Sequence, residues 1–308
     1  METMEDCAII LRGVKKSFGK HEVLKGVDVQ VPTKSIYAFL GNNGEGKSTA
    51  IRLIVGLMQA DSGAIQVLGR DIHTERTAIL SEVGCIVDAP SAYANLTAQE
   101  FLKIPCLLQN LPSKEIDRVL EVVGLRPEKK QLIATFSLGM KKRLALGNAL
   151  IGRPKLLILD EPTNGLDPSG ILELRTLIAS LPSLAGCTVF VSSHQLDEVE
   201  KIATHVALLR NGRVQHQSTL AEIYANQATA LDLHVDNARF AERVLQSHAF
   251  DSVFINDQQV RVSNISHEQA MLVNACLVRA NVGLKQAIFK KPSLEQWFAG
   301  RTLEGVSC

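Results

Sequence analysis

Gly41-Asn42-Asn43-Gly44-Glu45-Gly46-Lys47-Ser48 is the stretch that decides how this chain folds. It has the spacing G-x-x-x-x-G-K-[ST] of a phosphate-binding loop. Its surroundings fit that reading. Ser35 to Leu40 (SIYAFL) is a strand candidate running into Gly41, and Lys47 to Met58 has helical spacing, with Ile51, Ile54, Val55 and Met58 on one face. The glycines let consecutive backbone N–H groups turn inward around phosphate oxygens, and the helix N-terminus adds the positive end of its dipole. Lys47 is expected to reach the β- and γ-phosphates as a compact charge, and Ser48 to offer a hydroxyl to Mg²⁺. Gly41 through Thr49 are the nucleotide-binding candidates. Glu45 is unusual among them, because like charges about 4 Å apart repel by roughly 1 kcal/mol even in bulk-like solvent. Its side chain is therefore expected to point away from the phosphates.

Outward from this loop, Val83 to Val87, Leu156 to Leu159 and Thr188 to Ser192 are short, apolar and often β-branched. Such runs suit strands buried on both faces of a parallel sheet, so the alternation of strand and helix predicts an α/β domain. Between roughly residues 96 and 154 the strand candidates disappear. Thr97-Ala98-Gln99-Glu100 fits a capping box, and Ser113 precedes an amphipathic stretch, Glu115 to Val123, ended by Gly124. This segment reads as a helical insertion. Val206 to Val214 reads as a hairpin turning at Asn211-Gly212.

The strand Leu156 to Leu159 ends in Asp160-Glu161. Asp160 would face the nucleotide crevice and hold Mg²⁺ directly or through water, while Glu161 is placed to polarise an attacking water as general base. Past a change near Tyr224 to Ala230 the pattern differs. Leu231 to Val235, Val253 to Ile255, Val260 to Val262 and Leu284 to Phe289 are extended candidates, with helices from about Asn237 to Gln246 and His267 to Ala280. The division expected is therefore 1–225 and 226–308, the second part being a small α+β unit without a catalytic constellation.

Composition narrows the alternatives. The 308 residues carry 33 Lys+Arg against 32 Asp+Glu, and a dedicated nucleic-acid binder would show a basic excess. Aromatic residues are 5%, which disfavours a stacking platform for single strands. No apolar run approaches the ~20 residues that cross a bilayer. Glu2, Glu5 and Asp6 are the opposite of a secretory signal's basic start. The six cysteines contain no C-x-x-C pair and read as reduced packing residues of a cytosolic protein.

Three further segments set the class. Phe136-Ser137-Leu138-Gly139-Met140-Lys141 precedes Asp160, Asn164-Gly165-Leu166-Asp167 follows the two acids, and Ser192-Ser193-His194 ends the next strand candidate. With the phosphate loop, this order resembles the ATP-binding subunit of ABC transporters over roughly residues 8 to 225, the segments corresponding to the family's signature motif, D-loop and H-loop. The resemblance implies a P-loop ABC-type ATPase core with a helical subdomain at about 96–154, followed by the α+β accessory unit. It implies ATP and Mg²⁺ as ligands and a head-to-tail homodimer. Ser137 and the N–H groups near Gly139 of one chain would contact the γ-phosphate held by Lys47 of the other, near Asp167. His194 would contact the γ-phosphate and orient Glu161 and water. Phe18, followed by Gly19, matches the aromatic that stacks on adenine. Lys47, Glu161 and His194 would thus carry the hydrolysis.

Departures from the family pattern are the signature Ser-Leu-Gly-Met-Lys in place of Ser-Gly-Gly-Gln, Glu45 inside the phosphate loop, and Asp88 (in Val87-Asp88-Ala89-Pro90) where glutamine is common. Asp88 could still meet Mg²⁺ or water. These segments, with Asn95-Leu96-Thr97 and the terminal Lys291-Pro292-Ser293-Leu294-Glu295-Gln296-Trp297-Phe298, look like the bacitracin and lantibiotic self-protection branch, whose ATPase chains work with separate membrane permeases. The expectation is an exporter ATPase, peripheral on the cytoplasmic face of the membrane, serving antimicrobial peptide or drug efflux. Sodium export and cofactor maturation are the alternatives within transport. An ATPase acting on DNA or ribosomes is the alternative outside it. The stretch between Lys47 and Ser137 lacks the heptads of a coiled-coil insertion, and the chain has one ATPase domain where ribosome-acting relatives have two.

Overall fold

Alternation explains the first elements of the chain. In β2 (His21–Pro32) the buried Val27, Val29 and Val31 alternate with exposed Asp28 and Gln30, the period-2 pattern of a strand with one buried face. β2 pairs with β1 (Cys7–Phe18), and β4 (Ser62–Val67) and β5 (Arg70–Asp71) complete an antiparallel sheet in the order β2-β1-β4-β5. This sheet is absent from the reading of the sequence above, although that alternation was available to find it. The computed structural model describes residues 7–87, 93–225, 229–290, 293–295 and 297–298. The chain divides into two units, residues 1–220 and 221–308.

The second sheet of the first unit holds β3 (Ile36–Leu40), β6 (Val83–Ile86), β7 (Leu156–Asp160), β8 (Thr188–Ser193), β9 (His205–Arg210) and β10 (Arg213–Thr219), in the order β10-β9-β3-β8-β7-β6. All pairings are parallel except the β9–β10 hairpin. Every residue of β3 is buried, as a continuous apolar strand in a doubly covered sheet should be. The turn residues Asn211 and Gly212 have φ of 50° and 75°, the left-handed pair that a two-residue hairpin needs.

Helix α1 (Lys47–Ile54) is shorter than its apolar spacing suggested. The spacing reaches Met58, but the chain leaves the helix at Gly56, whose φ is 65°. Gly56 N–H bonds Leu53 O (3.0 Å) and Leu57 N–H bonds Arg52 O (2.8 Å), the paired closure of a glycine-terminated helix. After α2 (Arg76–Leu80), helices α3 (Ala98–Leu108), α4 (Lys114–Val122) and α5 (Leu138–Ala149) form the insertion between β6 and β7. The capping box of Thr97 and Glu100 opens α3 as expected. α6 (Pro168–Ala185) and α7 (Leu196–Val199) follow β7 and β8, and the short α8 (Leu220–Ala225) lies at the division of the units. Among the described residues, no helix is long and apolar enough to cross a membrane.

The second unit runs β11 (Ala230–Val235), α9 (Ala238–Ser247), β12 (Ser252–Asn256), β13 (Gln259–Ser263), α10 (His267–Arg279) and β14 (Leu284–Lys290). Its antiparallel sheet, ordered β12-β13-β11-β14, is a split β-α-β arrangement. Leu231, Leu233, Val260 and Val262 from the sheet and Leu245, Val273 and Leu277 from the helices make its core.

Candidate active site

Sheet order, not sequence distance, builds this site. β3, β8 and β7 are neighbours and parallel, so the loops at their C-terminal ends open side by side. Leu40 pairs with Ser193, and Ser192 with Asp160. The phosphate loop, His194 and Glu161 therefore leave the sheet at adjacent points.

The phosphate loop needs glycine where backbone crowds it, at Gly41, and where φ is left-handed, at Gly46. A Cβ on Gly41 would sit 2.7 Å from Leu209 O, and one on Gly46, at φ 105°, would sit 2.8 Å from Leu24 Cδ2. Gly46 opens α1 without a side-chain cap, so the first N–H groups of the helix remain directed at the loop's hollow. Lys47 is buried, and its Nζ donates to Gly41 O at 2.7 Å and Asn42 O at 3.1 Å. The loop's own carbonyls thus hold the ammonium inside the loop. The same Nζ lies 3.1 Å from Glu161 Oε1. Glu45 turns to the β9–β10 hairpin, where its carboxylate accepts from the N–H of Asn211. Gly212 O of that turn in turn accepts from Lys25 N at 2.7 Å, so the turn joins β2 to the phosphate loop.

Glu161 is the strained residue of the site. Its φ is 46°, a left-handed conformation that a residue with a β-carbon holds only when its surroundings enforce it. Ser192 is one enforcer: its Oγ accepts from Glu161 N at 3.0 Å and donates to Asp160 Oδ1 at 2.5 Å. One buried hydroxyl thus sets both acids. Its signal was legible, since a hydroxyl at the end of an otherwise apolar strand must find a partner. At the other end of Glu161, Oε2 lies 2.7 Å from His194 Nδ1. Oε1 is buried and, although close to Lys47, lacks a hydrogen bond. Lys47, Glu161, His194 and Asp160 are therefore brought into one cluster.

The remaining candidates stand elsewhere in the first unit. Ser137 caps α5, its Oγ accepting from Met140 N at 3.2 Å, with Gly139 in the first turn. Asp167 caps α6 by accepting from Gly170 N at 3.3 Å. Phe18 ends β1 with half of its surface exposed and Lys16 Nζ 5.9 Å from its ring centre, a surface aromatic and not a core one. Ser48 and Thr49 lie in the first turn of α1. Asp88 lies outside the described residues.

Comparison with known proteins gives the family. The ABC transporter family profile matches residues 24–164. The bacitracin transport ATP-binding protein BcrA of Bacillus licheniformis is 37% identical over 289 residues, covering 92% of this chain and 93% of its own. The lantibiotic transport ATP-binding protein SrtF of Streptococcus pyogenes is 39% identical over 223 residues, covering 70% of this chain and 96% of its own. Among solved structures, cbiO1 from Clostridium perfringens, part of the ABC transporter complex cbiONQ, superposes with a TM-score of 0.66 at 27% identity, covering 72% of this chain and 92% of its own. The chain belongs to the ABC transporter family as an ATP-binding subunit, and it is an ATPase.

Proposed function

We propose that this chain is the ATP-hydrolysing subunit of an exporter, driving a separate membrane permease that removes an antimicrobial peptide or drug. The observation that carries the hydrolytic part is the cluster of Lys47, Glu161 and His194 at the ends of three adjacent strands. Support for the cargo class comes from relatives named for bacitracin and lantibiotic transport. Two chains would meet head to tail, with Ser137 and Gly139 of one facing the nucleotide on Lys47 of the other. The N-terminus of a helix is a ready anion site, and Ser137 and Gly139 stand at that of α5. Phe18 would stack on adenine and Asp167 would lie at the dimer contact.

ATP binding would favour the closed dimer, because only that state completes both phosphate sites. Lys47 would exchange its loop carbonyls for phosphate oxygens and so leave Glu161. Glu161, held by His194, would then accept the proton of the attacking water. Ser48 and Asp160 would hold Mg²⁺, which supplies neutralising charge beside the β- and γ-phosphates. The donor set fits that ion: a hydroxyl and a carboxylate whose second-sphere partner, Ser192, is already in place. Hydrolysis removes the bridging γ-phosphate and reopens the dimer.

On the insertion, Ile104, Leu107 and Leu108 of α3 are exposed together on one helix face, and Tyr93 is exposed nearby in sequence. This surface would receive a cytoplasmic helix of the permease and place the subunit on the inner face of the membrane. The test is purification of the Glu161→Gln chain from its native membranes in mild detergent with ATP. A stoichiometric multi-span membrane protein and an ATP-dependent dimer are expected. Ribosomal or DNA-repair proteins in its place would overturn the transporter reading.

A further inference from the structure

Lys142 lies one turn into α5, beyond the cap made by Ser137. It has no place in the phosphate chemistry described above. Its Nζ donates to Pro162 O at 2.6 Å, the carbonyl next after Glu161. From Glu161 the chain turns tightly, with Asn164 N–H bonding Glu161 O at 3.2 Å and Leu166 N–H bonding Thr163 O at 3.2 Å. Thr163 Oγ1 is fixed to Glu198 Oε2 at 2.5 Å. The start of α5 touches this turn again: Leu138 Cδ2 lies 3.5 Å from where a Cβ on Gly165 would be, and Leu166 Cδ2 lies 3.9 Å from that of Gly139. The anion-binding end of α5 and the turn carrying the general base are thus in direct contact within one chain.

Beside those contacts lies a pocket that is partly open to solvent. A cavity of about 320 Å³ is lined by Leu138, Lys142, Leu146, Glu161, Pro162 and Leu174, among others. Close-packed interiors resist relative displacement, whereas side chains that line an open pocket are held from one side only. α5 therefore has room to shift against β7 and α6, and Lys142 spans the gap with a directional, charge-assisted bond. Burial pushes the ammonium's pKa down, while the carboxylates of Glu161 and Glu198 favour its charge. A bond made in half-buried surroundings is stronger than one in bulk water.

We propose that Lys142 is a positioning residue that couples α5 to the catalytic turn of its own chain. Occupancy of the anion site at Ser137 then sets the backbone of Glu161. In the head-to-tail dimer, on which this inference rests, the anion site of a chain serves one nucleotide and its Glu161 serves the other. Lys142 is therefore the link by which each ATP reports on its neighbour. A displacement of α5 by the γ-phosphate pulls Pro162 O and moves the neighbouring Glu161 relative to its water.

The test compares Lys142→Met, which keeps the apolar stem and drops the ammonium, with Lys142→Arg, which restores a cation and donors. Phosphate release by the full-length chain is followed against ATP concentration. Wild-type protein is expected to show a Hill coefficient of about 1.5–2, and Lys142→Met one of about 1. Turnover should fall about tenfold in Lys142→Met, while the affinity for a fluorescent ATP analogue stays within about twofold. Lys142→Arg should recover the larger part of both. Dimerisation of Glu161→Gln with ATP is measured alongside by sedimentation. If that dimer forms and Lys142→Met keeps wild-type cooperativity and turnover, the coupling role is overturned while the dimer stands. If Glu161→Gln stays monomeric, the dimer reading falls and the coupling with it. A simple packing role is the outcome if Lys142→Arg and Lys142→Met lose turnover and thermal stability alike.

Discussion

Each unit of the molecule holds a carboxylate between two basic groups, and the two are treated in opposite ways. In the second unit Asp232 sits in a regular strand, almost wholly buried, with Oδ1 and Oδ2 both engaged by Arg261 (2.6 and 3.0 Å) and Oδ2 also by Lys290 at 2.7 Å. Nothing there is strained or left over. In the first unit Glu161 lies between Lys47 and His194 with a left-handed backbone and a buried Oε1 that lacks a hydrogen bond. An incompletely satisfied, strained carboxylate costs stability and is retained where chemistry needs it. A fully satisfied one holds a sheet together. A carboxylate with two basic neighbours makes a site or a staple according to how much of its bonding capacity the fold leaves open.

The sharpest way to break this comparison is to neutralise each acid in turn. Glu161→Gln is expected to lower ATP hydrolysis by about 10²–10⁴-fold, read as phosphate release, with thermal stability equal to or above wild type. A variant that turned over at the wild-type rate would remove Glu161 from the role of base. Lys47→Ala should weaken nucleotide binding by at least about tenfold in an equilibrium titration, since it removes the one buried cation of the phosphate loop. Asp232→Asn should do the reverse. It leaves the chemistry intact and costs about 1–3 kcal/mol of stability in the second unit, seen by calorimetry.

The acid limb of unfolding sharpens the same point. Bonds from Arg261 first, and then Lys290, hold the Asp232 carboxyl below its usual range. A depressed folded-state pKa contributes stability above the unfolded value, about 4, which is lost as pH falls below it. Asp232→Asn should flatten stability against pH in that window alone. The smallest effect belongs to Glu45. Glu45→Ala loses one hydrogen bond to the hairpin turn, worth about 1 kcal/mol, and should raise the KM for ATP several-fold. Glu45→Gln, which keeps an acceptor, should stay near wild type. Tighter ATP binding by Glu45→Ala would mean that the carboxylate faces the phosphates after all.

Local chemistry was legible wherever it depended on neighbours in sequence. The phosphate loop, the box at Thr97 and Glu100, the turn at Asn211-Gly212 and the elements of the second unit follow from glycine freedom, capping oxygens and apolar period. α1 was read four residues too long because apolar spacing continues through Met58, whereas backbone conformation at Gly56 stops the helix. The sheet of β1, β2 and β4 went unread because β1 and β2 pair through register shifts and β4 joins them from beyond α1, although Val27, Val29 and Val31 carried the alternation.

What the sequence determined by itself was the chemistry offered: a loop of N–H groups before a lysine, two acids at a strand's end, a histidine at another's, and a capped helix for a second anion. Those depend on side-chain type and on backbone freedom within a few residues. Only the tertiary structure decided which of them meet. Placing β8 between β3 and β7 brings Ser192 to both acids and His194 to Glu161, and the hairpin's return to the phosphate loop gives Glu45 its partner. Adjacency of strands is settled by the hydrogen-bond ladder and core of the whole sheet, a sum over many residues that no single segment carries.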